Sequence, residues 1–281
     1  MNKWLLISIV SVGFAAGASS ATGQTEPEAK QLAVKGHTTF VQVLGGDESR
    51  WTEAVRYMEQ SRELAPDDTG NLYNLARAYF YDGLTNRNQA SLEKAEQTLS
   101  KLIALKPEDT RALSFHGSAL TVLSGGQDIA KFMQGAQEMK AAIERDPKNI
   151  NNRIVLALTS TNFPPQALAA MGNYDNLGDL EFVRDAFNGQ KFYYAPHADV
   201  MMKAFVGEAY LAKGDKAKAQ ANFEAALAVP PPTEAGALAG RRLIDNAIRA
   251  RMNGGDKRVA SGPALSGCHS CHLNAPDKLL R

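Results

Sequence analysis

The chain has 281 residues, 44% of them hydrophobic and 22% charged, with 31 Lys and Arg against 30 Asp and Glu and two cysteines. A balance this close to neutral argues against a nucleic-acid binder, which would present a cationic surface to phosphates. Two cysteines exclude a fold stapled by disulfides, and the length suffices for one large domain or a repeat array.

Met1-Asn2-Lys3 is a short positive start, and Trp4 to Phe14 is a mainly apolar run. Ala16-Gly17-Ala18 and Ser19-Ser20-Ala21 each offer a small–x–small cleavage site. This is the pattern of a secretory signal peptide over residues 1–21, its apolar run too short for a membrane span. A retained membrane anchor is the alternative reading. No cysteine lies near the cleavage site, so a lipoprotein anchor is excluded. Lys3 is the only charged side chain in this stretch, so its removal leaves 30 basic against 30 acidic residues. The mature chain is expected in the periplasm, without a membrane span.

After a polar leader at Thr22–Glu28, Ala, Leu, Glu, Lys, Gln and Arg dominate, and apolar residues recur at three- and four-residue spacing. That is helical periodicity, with no stretch of period two, so the expectation is helices and few or no strands. The helices repeat. Ala54, Met58, Ser61 and Pro66 share their spacing with Ala95, Leu99, Leu102 and Pro107, with Gly135, Met139, Ala142 and Pro147, and with Ala219, Phe223, Ala226 and Pro231. Each set draws a small or apolar stripe along one helix face, followed by a proline that stops the helix. Leu72, Leu75, Ala76 and Tyr79 open one preceding helix, Leu113, His116, Gly117 and Leu120 another, and Lys203, Val206, Gly207 and Tyr210 a third.

On these residues the chain resembles the tetratricopeptide repeat (TPR) family over about residues 50–235. The stretch from Val200 to Pro231 fits the pattern without insertion. The loops near Gly83–Ser91 and Gly125–Lys131 are longer than the family norm and stretch the period to about 40. The resemblance implies an all-α, TPR-like helical-hairpin solenoid whose groove receives protein partners, since each hairpin must stack on its neighbours to bury a core. A generic helical bundle is the competing architecture. Residues 161–197 interrupt the pattern: Asn162-Phe163-Pro164-Pro165 ends a helix, Ala167–Met171 and Leu177–Phe187 read as shorter helices, and Gln190–His197 is aromatic-rich. This is a degenerate repeat or an insertion against the concave face. Glu234–Met252 is an amphipathic capping helix, which Asn253-Gly254-Gly255 ends. The organisation expected is a signal peptide at 1–21, a solenoid at 22–252, and a tether with a short tail at 253–281.

That tail contains Cys268-His269-Ser270-Cys271-His272, a C-x-x-C-H pattern. Two thiols three positions apart on one turn can each add to a haem vinyl group, and the imidazole that follows is held under the iron. The reading is one covalent haem c anchored by Cys268 and Cys271, with His272 as the axial iron ligand and His269 as a spacer. A redox-active Cys268–Cys271 disulfide and a zinc site are the other readings. The first belongs in a βαβ setting and the second draws on two ligand pairs, neither of which the sequence offers. Candidates for the sixth iron ligand are Met252, just before the tether, and His197 and Met201 beside the aromatic stretch, with Met202, His116 and His37 behind them. A basic run, Arg241, Arg242, Arg249, Arg251, Lys257 and Arg258, is either a docking surface for an acidic partner or haem propionates, or a solvated helix face.

Three functions follow. The first is a mono-haem protein on a TPR scaffold that transfers electrons to, or assembles, a periplasmic redox protein or envelope complex held in the groove. The second is a non-redox TPR adaptor of the envelope. The third is a haem enzyme or ligand sensor, which requires an open iron position. No Ser-His-Asp set or phosphate loop supports any other enzyme chemistry.

Overall fold

In the computed structural model the described residues are 22–44, 47–161, 163, 165–189, 197–233, 235–255 and 259. They form twelve α-helices with no strand among the described residues. Helices α1 (Thr22–Leu44) and α2 (Trp51–Leu64), α3 (Thr69–Thr85) and α4 (Gln89–Leu105), and α5 (Thr110–Leu123) and α6 (Ile129–Arg145) pack as successive hairpins. In the fourth unit α7 (Ile150–Ser160) packs against α9 (Leu177–Phe187), with the short α8 (Pro165–Ala170) between them. A fifth hairpin, α10 (Ala198–Ala212) with α11 (Lys216–Leu227), is followed by α12 (Ala235–Met252).

Small residues set the hairpins. A side chain at Gly117 would collide with the Gly135 carbonyl, and one at Gly135 with the Gly117 carbonyl, so α5 and α6 touch backbone to backbone there. A Cβ at Gly207 would lie 2.7 Å from the Phe223 ring, which fills the α10–α11 crossing instead. The turns between hairpins reuse one device. After Pro66, Pro107 and Pro147 the chain supplies Asp68, Asp109 and Asn149, whose side chains accept from free N–H groups at the next helix start: Gly70 N at 2.9 Å, Arg111 N at 3.2 Å and Asn151 N at 3.1 Å. Asn71 and Asn152 then reach back, donating to Met58 O at 2.8 Å and Ala142 O at 3.0 Å, and so tie each unit to the outer helix before it.

The array gains a unit at its N-terminal end. Thr22–Glu28, expected as a polar leader, belongs to α1, with Pro27 inside the helix. One proline removes a single i to i−4 bond, and packing of the rest of the helix outweighs it. Ala29, Phe40 and Val43 are buried, and Ser61 Oγ donates to Ala29 O at 2.8 Å. Gly36 approaches Met58 as Gly117 approaches Met139, so α1 is the missing first helix of the hairpin that the sequence showed only from its second. Over the described residues the interruption after Ser160 is a degenerate repeat, with α9 in the outer place beside α7, while the aromatic-rich stretch at 190–196 lies outside the described residues. Asp179 is paired with Arg153 and accepts from Tyr174 Oη at 2.6 Å, while Asn176 Nδ2 donates to Ala157 O at 3.4 Å. The buried Lys203–Asp199 pair, with Lys203 Nζ also 3.0 Å from Asn188 Oδ1, fastens the end of α9 to α10.

The Gly117–Gly135 approach gives a direct test. Gly135→Val should destabilise the fold by about 1–3 kcal/mol, because neither backbone can yield easily, and lower Tm by roughly 2–4 °C per kcal/mol. Gly178, exposed in the first turn of α9 with nothing near its Cβ position, should behave oppositely, Gly178→Ala raising Tm slightly. Thermal melts of both variants read the contrast.

Candidate functional site

The two layers differ in how they are buried. In α2, α4, α6 and α11 burial follows one stripe, such as Ala95, Leu99 and Leu102. In α3 all residues from Asn71 to Gly83 except Asn74 are buried, and in α5 all from Ser114 to Thr121. These inner helices carry an aromatic and cationic face. Phe115 of α5 meets Tyr73 and Phe80 of α3 edge-on, each with ring centroids 5.9 Å apart. Arg77 and Arg111 lie 5.5 and 4.8 Å from the Tyr73 ring centroid. Arg111 is also paired with Asp109 at 3.0 Å. Ser118 Oγ and Thr159 Oγ1, 3.1 Å apart, continue the row into α7. Sequence reasoning missed this face. Its signal was positional: Arg77, Ser118, Leu158 and Glu208 each follow the small residue, Ala76, Gly117, Ala157 or Gly207, that seats an inner helix.

At the C-terminal end, Glu208 of α10 receives Arg251 Nε of α12 at 3.1 Å and the backbone N–H of Val259 at 2.9 Å. Arg251 also donates to Gly255 O at 2.6 Å. Arg241, 3% exposed, is internal: it pairs with Asp245 at 2.7 Å and donates to Pro230 O, Ala226 O and Leu227 O, closing the end of α11. Two residues of the basic run are thus structural, while Arg242 and Arg249 are exposed and Lys257 and Arg258 lie outside the described residues.

Cys268, Cys271 and His272 lie outside the described residues, as does the leader at 1–21. The sixth-ligand candidates are placed apart. Met201 and Met202 are 1% and 0% exposed in the core of α10. His197, 8% exposed at the start of α10, has its Nε2 against Gly240 of α12 and no partner for Nδ1. Burial and then the charge of Arg241 lower its pKa, against a smaller opposite pull from Asp245, so it stays neutral. Met252 is half-buried at the end of α12 and is the candidate nearest in sequence to the tail. His37 is half-buried on α1. His116 has both nitrogens occupied, Nδ1 by Glu138 at 2.5 Å, and Nε2 by Ser100 at 3.0 Å and Glu96 at 3.3 Å. No helix among the described residues is long and apolar enough to cross a membrane.

No protein-family model matches the chain, and no curated sequence matches it. Solved structures do. The fold is that of a TPR-like helical-hairpin solenoid. It is similar to TTC0263, a thermophilic TPR protein of Thermus thermophilus, with a TM-score of 0.52 and 19% identity over 80% of this chain and 98% of that one. It is also similar to a tetratricopeptide repeat protein of Parabacteroides merdae, with a TM-score of 0.51 and 16% identity over 90% of this chain and 81% of that one.

His116 links three helices, and its linkage to stability has a definite sign. Burial disfavours its charge, but the hydrogen bonds and charges of Glu138 and then Glu96 outweigh burial, so its pKa is raised above the ordinary value. A raised folded-state pKa stabilises fully below the unfolded value near 6.5 and is lost as pH rises through the folded value. Glu138→Gln should therefore lower Tm by a few degrees at pH 6 and have little effect at pH 9; thermal melts at both pH values test it.

Proposed function

We propose that this chain is an exported helical-repeat scaffold that holds a protein partner on its inner face, in the periplasm. The observation that carries this reading is the stack of helical hairpins itself, with Arg111 half-exposed at the start of an inner helix, 4.8 Å from the Tyr73 ring centroid. Arginine is enriched among the residues that dominate protein interfaces. Five stacked hairpins present one long side, which suits an elongated partner. Mature protein should retain one defined partner from an envelope extract. Arg111→Glu, which reverses charge at the half-exposed end of the row, should release that partner, and the outer-face control Lys140→Glu should keep it. Retention by both variants would sink the assignment of the inner face.

A second reading is favoured by the C-x-x-C-H spacing at Cys268, Cys271 and His272. In it the scaffold carries one haem c on its tail, which would add one-electron chemistry to the complex. Of the described candidates for the sixth position, Met252, half-buried at the end of α12, is the nearest in sequence to that tail. Expressed with its leader in a host that matures c-type cytochromes, the protein should keep haem through denaturing electrophoresis. Cys268→Ala with Cys271→Ala should lose it. A sharp low-spin spectrum on reduction supports electron transfer, and a high-spin spectrum supports an enzyme or sensor. No covalent haem leaves the adaptor.

A further inference from the structure

We propose that the joint between the second and third hairpins is a pH-gated hinge, closed by the imidazolium of His116 and slackened when that ring loses a proton. The hinge is a property of the joint itself and needs neither a partner nor haem.

The joints of the array are not latched alike. At the first, Asn71 of α3 donates to Met58 O of α2 at 2.8 Å, and at the third Asn152 of α7 donates to Ala142 O of α6 at 3.0 Å. Both asparagines stand five residues before the small residue that seats the inner helix, Ala76 in α3 and Ala157 in α7. The same place in α5, five before Gly117, is Ala112, which has no side-chain donor. The second joint lacks the amide latch, and what crosses it instead is ionisable.

His116 projects from α5 between the outer helices α4 and α6. Its Nδ1 lies 2.5 Å from Glu138 Oε2 of α6, within its own hairpin. Its Nε2 reaches across to the preceding hairpin, 3.0 Å from Ser100 Oγ and 3.3 Å from Glu96 Oε1 of α4. Ser100 Oγ in turn donates to Glu96 Oε1 at 3.1 Å, and Gln134 Nε2 donates to the other oxygen of Glu138 at 2.9 Å. The charged groups facing the ring are Glu96 from α4 and Glu138 from α6. The inner neighbours face other residues of α5: Tyr73 and Phe80 of α3 meet Phe115, and Thr159 of α7 meets Ser118.

Counting protons gives the two states. With both ring nitrogens protonated, Nδ1 donates to Glu138, Nε2 donates to Ser100 Oγ, and the Ser100 hydroxyl donates to Glu96, so every acceptor has a donor. The positive ring also separates two carboxylates that belong to different hairpins. When one proton leaves, Nδ1 keeps its own for the closer Glu138 carboxylate, and Nε2 becomes an acceptor. Ser100 then has one hydroxyl proton for two acceptors, Nε2 and Glu96 Oε1. Whichever it serves, one lone pair faces another across the joint, and the ionic attraction of the ring for α4 is gone. Burial lowers the ring's pKa, but the hydrogen bonds and charges of Glu138 and then Glu96 outweigh it and hold the pKa above the ordinary value. The latch is therefore shut at low pH and lost as pH rises through the raised value. The contact of Arg111 in α5 with Tyr73 in α3 spans the same joint, so slackening would also alter the inner face; that consequence, unlike the hinge, rests on the partner reading.

The test is a pair of distances in the folded full chain, with Cys268 and Cys271 replaced by Ser and spin labels on exposed outer-helix positions. Labels at Gln97→Cys and Gln137→Cys, equivalent places on α4 and α6, span the second joint, and labels at Gln60→Cys and Gln97→Cys span the first. Between pH 5 and pH 9 the 97–137 distance should lengthen by about 1–2 Å, the scale of helix shifts at interfaces, while the 60–97 distance stays fixed. Glu96→Gln supplies an amide that accepts from the charged ring and donates to the neutral one, so it should keep the 97–137 distance short at both pH values. A 97–137 distance that does not respond to pH would overturn the proposal, because the ring then gates nothing. Equal lengthening of both distances would overturn it as a general loosening of the array, and lengthening undiminished in Glu96→Gln would remove His116 from the cause. Circular dichroism checks the fold at both pH values, and Glu144→Cys replaces Gln137→Cys should the latter disturb it. Neither distance involves a partner, so loss of partner capture with an intact pH response would count against the scaffold reading alone.

Discussion

Everything in this molecule depends on how closely the two helices of each hairpin approach. Where Gly117 faces Gly135, nothing but backbone separates α5 from α6, and Gly36 with Met58 and Gly207 with Phe223 give the same closeness with a glycine on one side only. A close crossing fixes the angle of each hairpin, and that angle fixes which residues the inner helix turns towards the next unit. Ala76, Gly117, Ala157 and Gly207 therefore set the row formed by Arg77, Ser118, Leu158 and Glu208, one position further along each helix and about 100° further round. Site and scaffold are thus consequences of the same small residues.

Much of this was legible in the sequence because small residues are informative only when they recur. The stripes ending at Pro66, Pro107, Pro147 and Pro231 predict outer helices, and α2, α4, α6 and α11 stand there. Leu177–Phe187 and the capping helix ending at Met252 were readable from periodicity alone. The first helix was not, since Thr22–Glu28 is polar and Pro27 reads as a breaker. The spacing from Gly36 to Ala54 equals that from Gly117 to Gly135, which would have disclosed it. Arg241 was also misleading: in a run of arginines it looks like a surface charge, but it spends its donors on the carbonyls at the end of α11. Sequence shows that a residue is charged; it does not show which carbonyls lack partners.

The inner face was the least legible part. Its residues come from helices about 40 positions apart and share no type: an arginine, a serine, a leucine and a glutamate hold equivalent places. Only the backbone repeat makes them neighbours. The degenerate fourth unit shows how tolerant that repeat is. There α8 and the turn to Tyr174 replace a tight connection, and α9 is held to α7 by Arg153, Asp179 and Tyr174 rather than by a glycine crossing. Polar pairing has taken over a task that close packing performs elsewhere, and the row continues past it to α10 with its register kept.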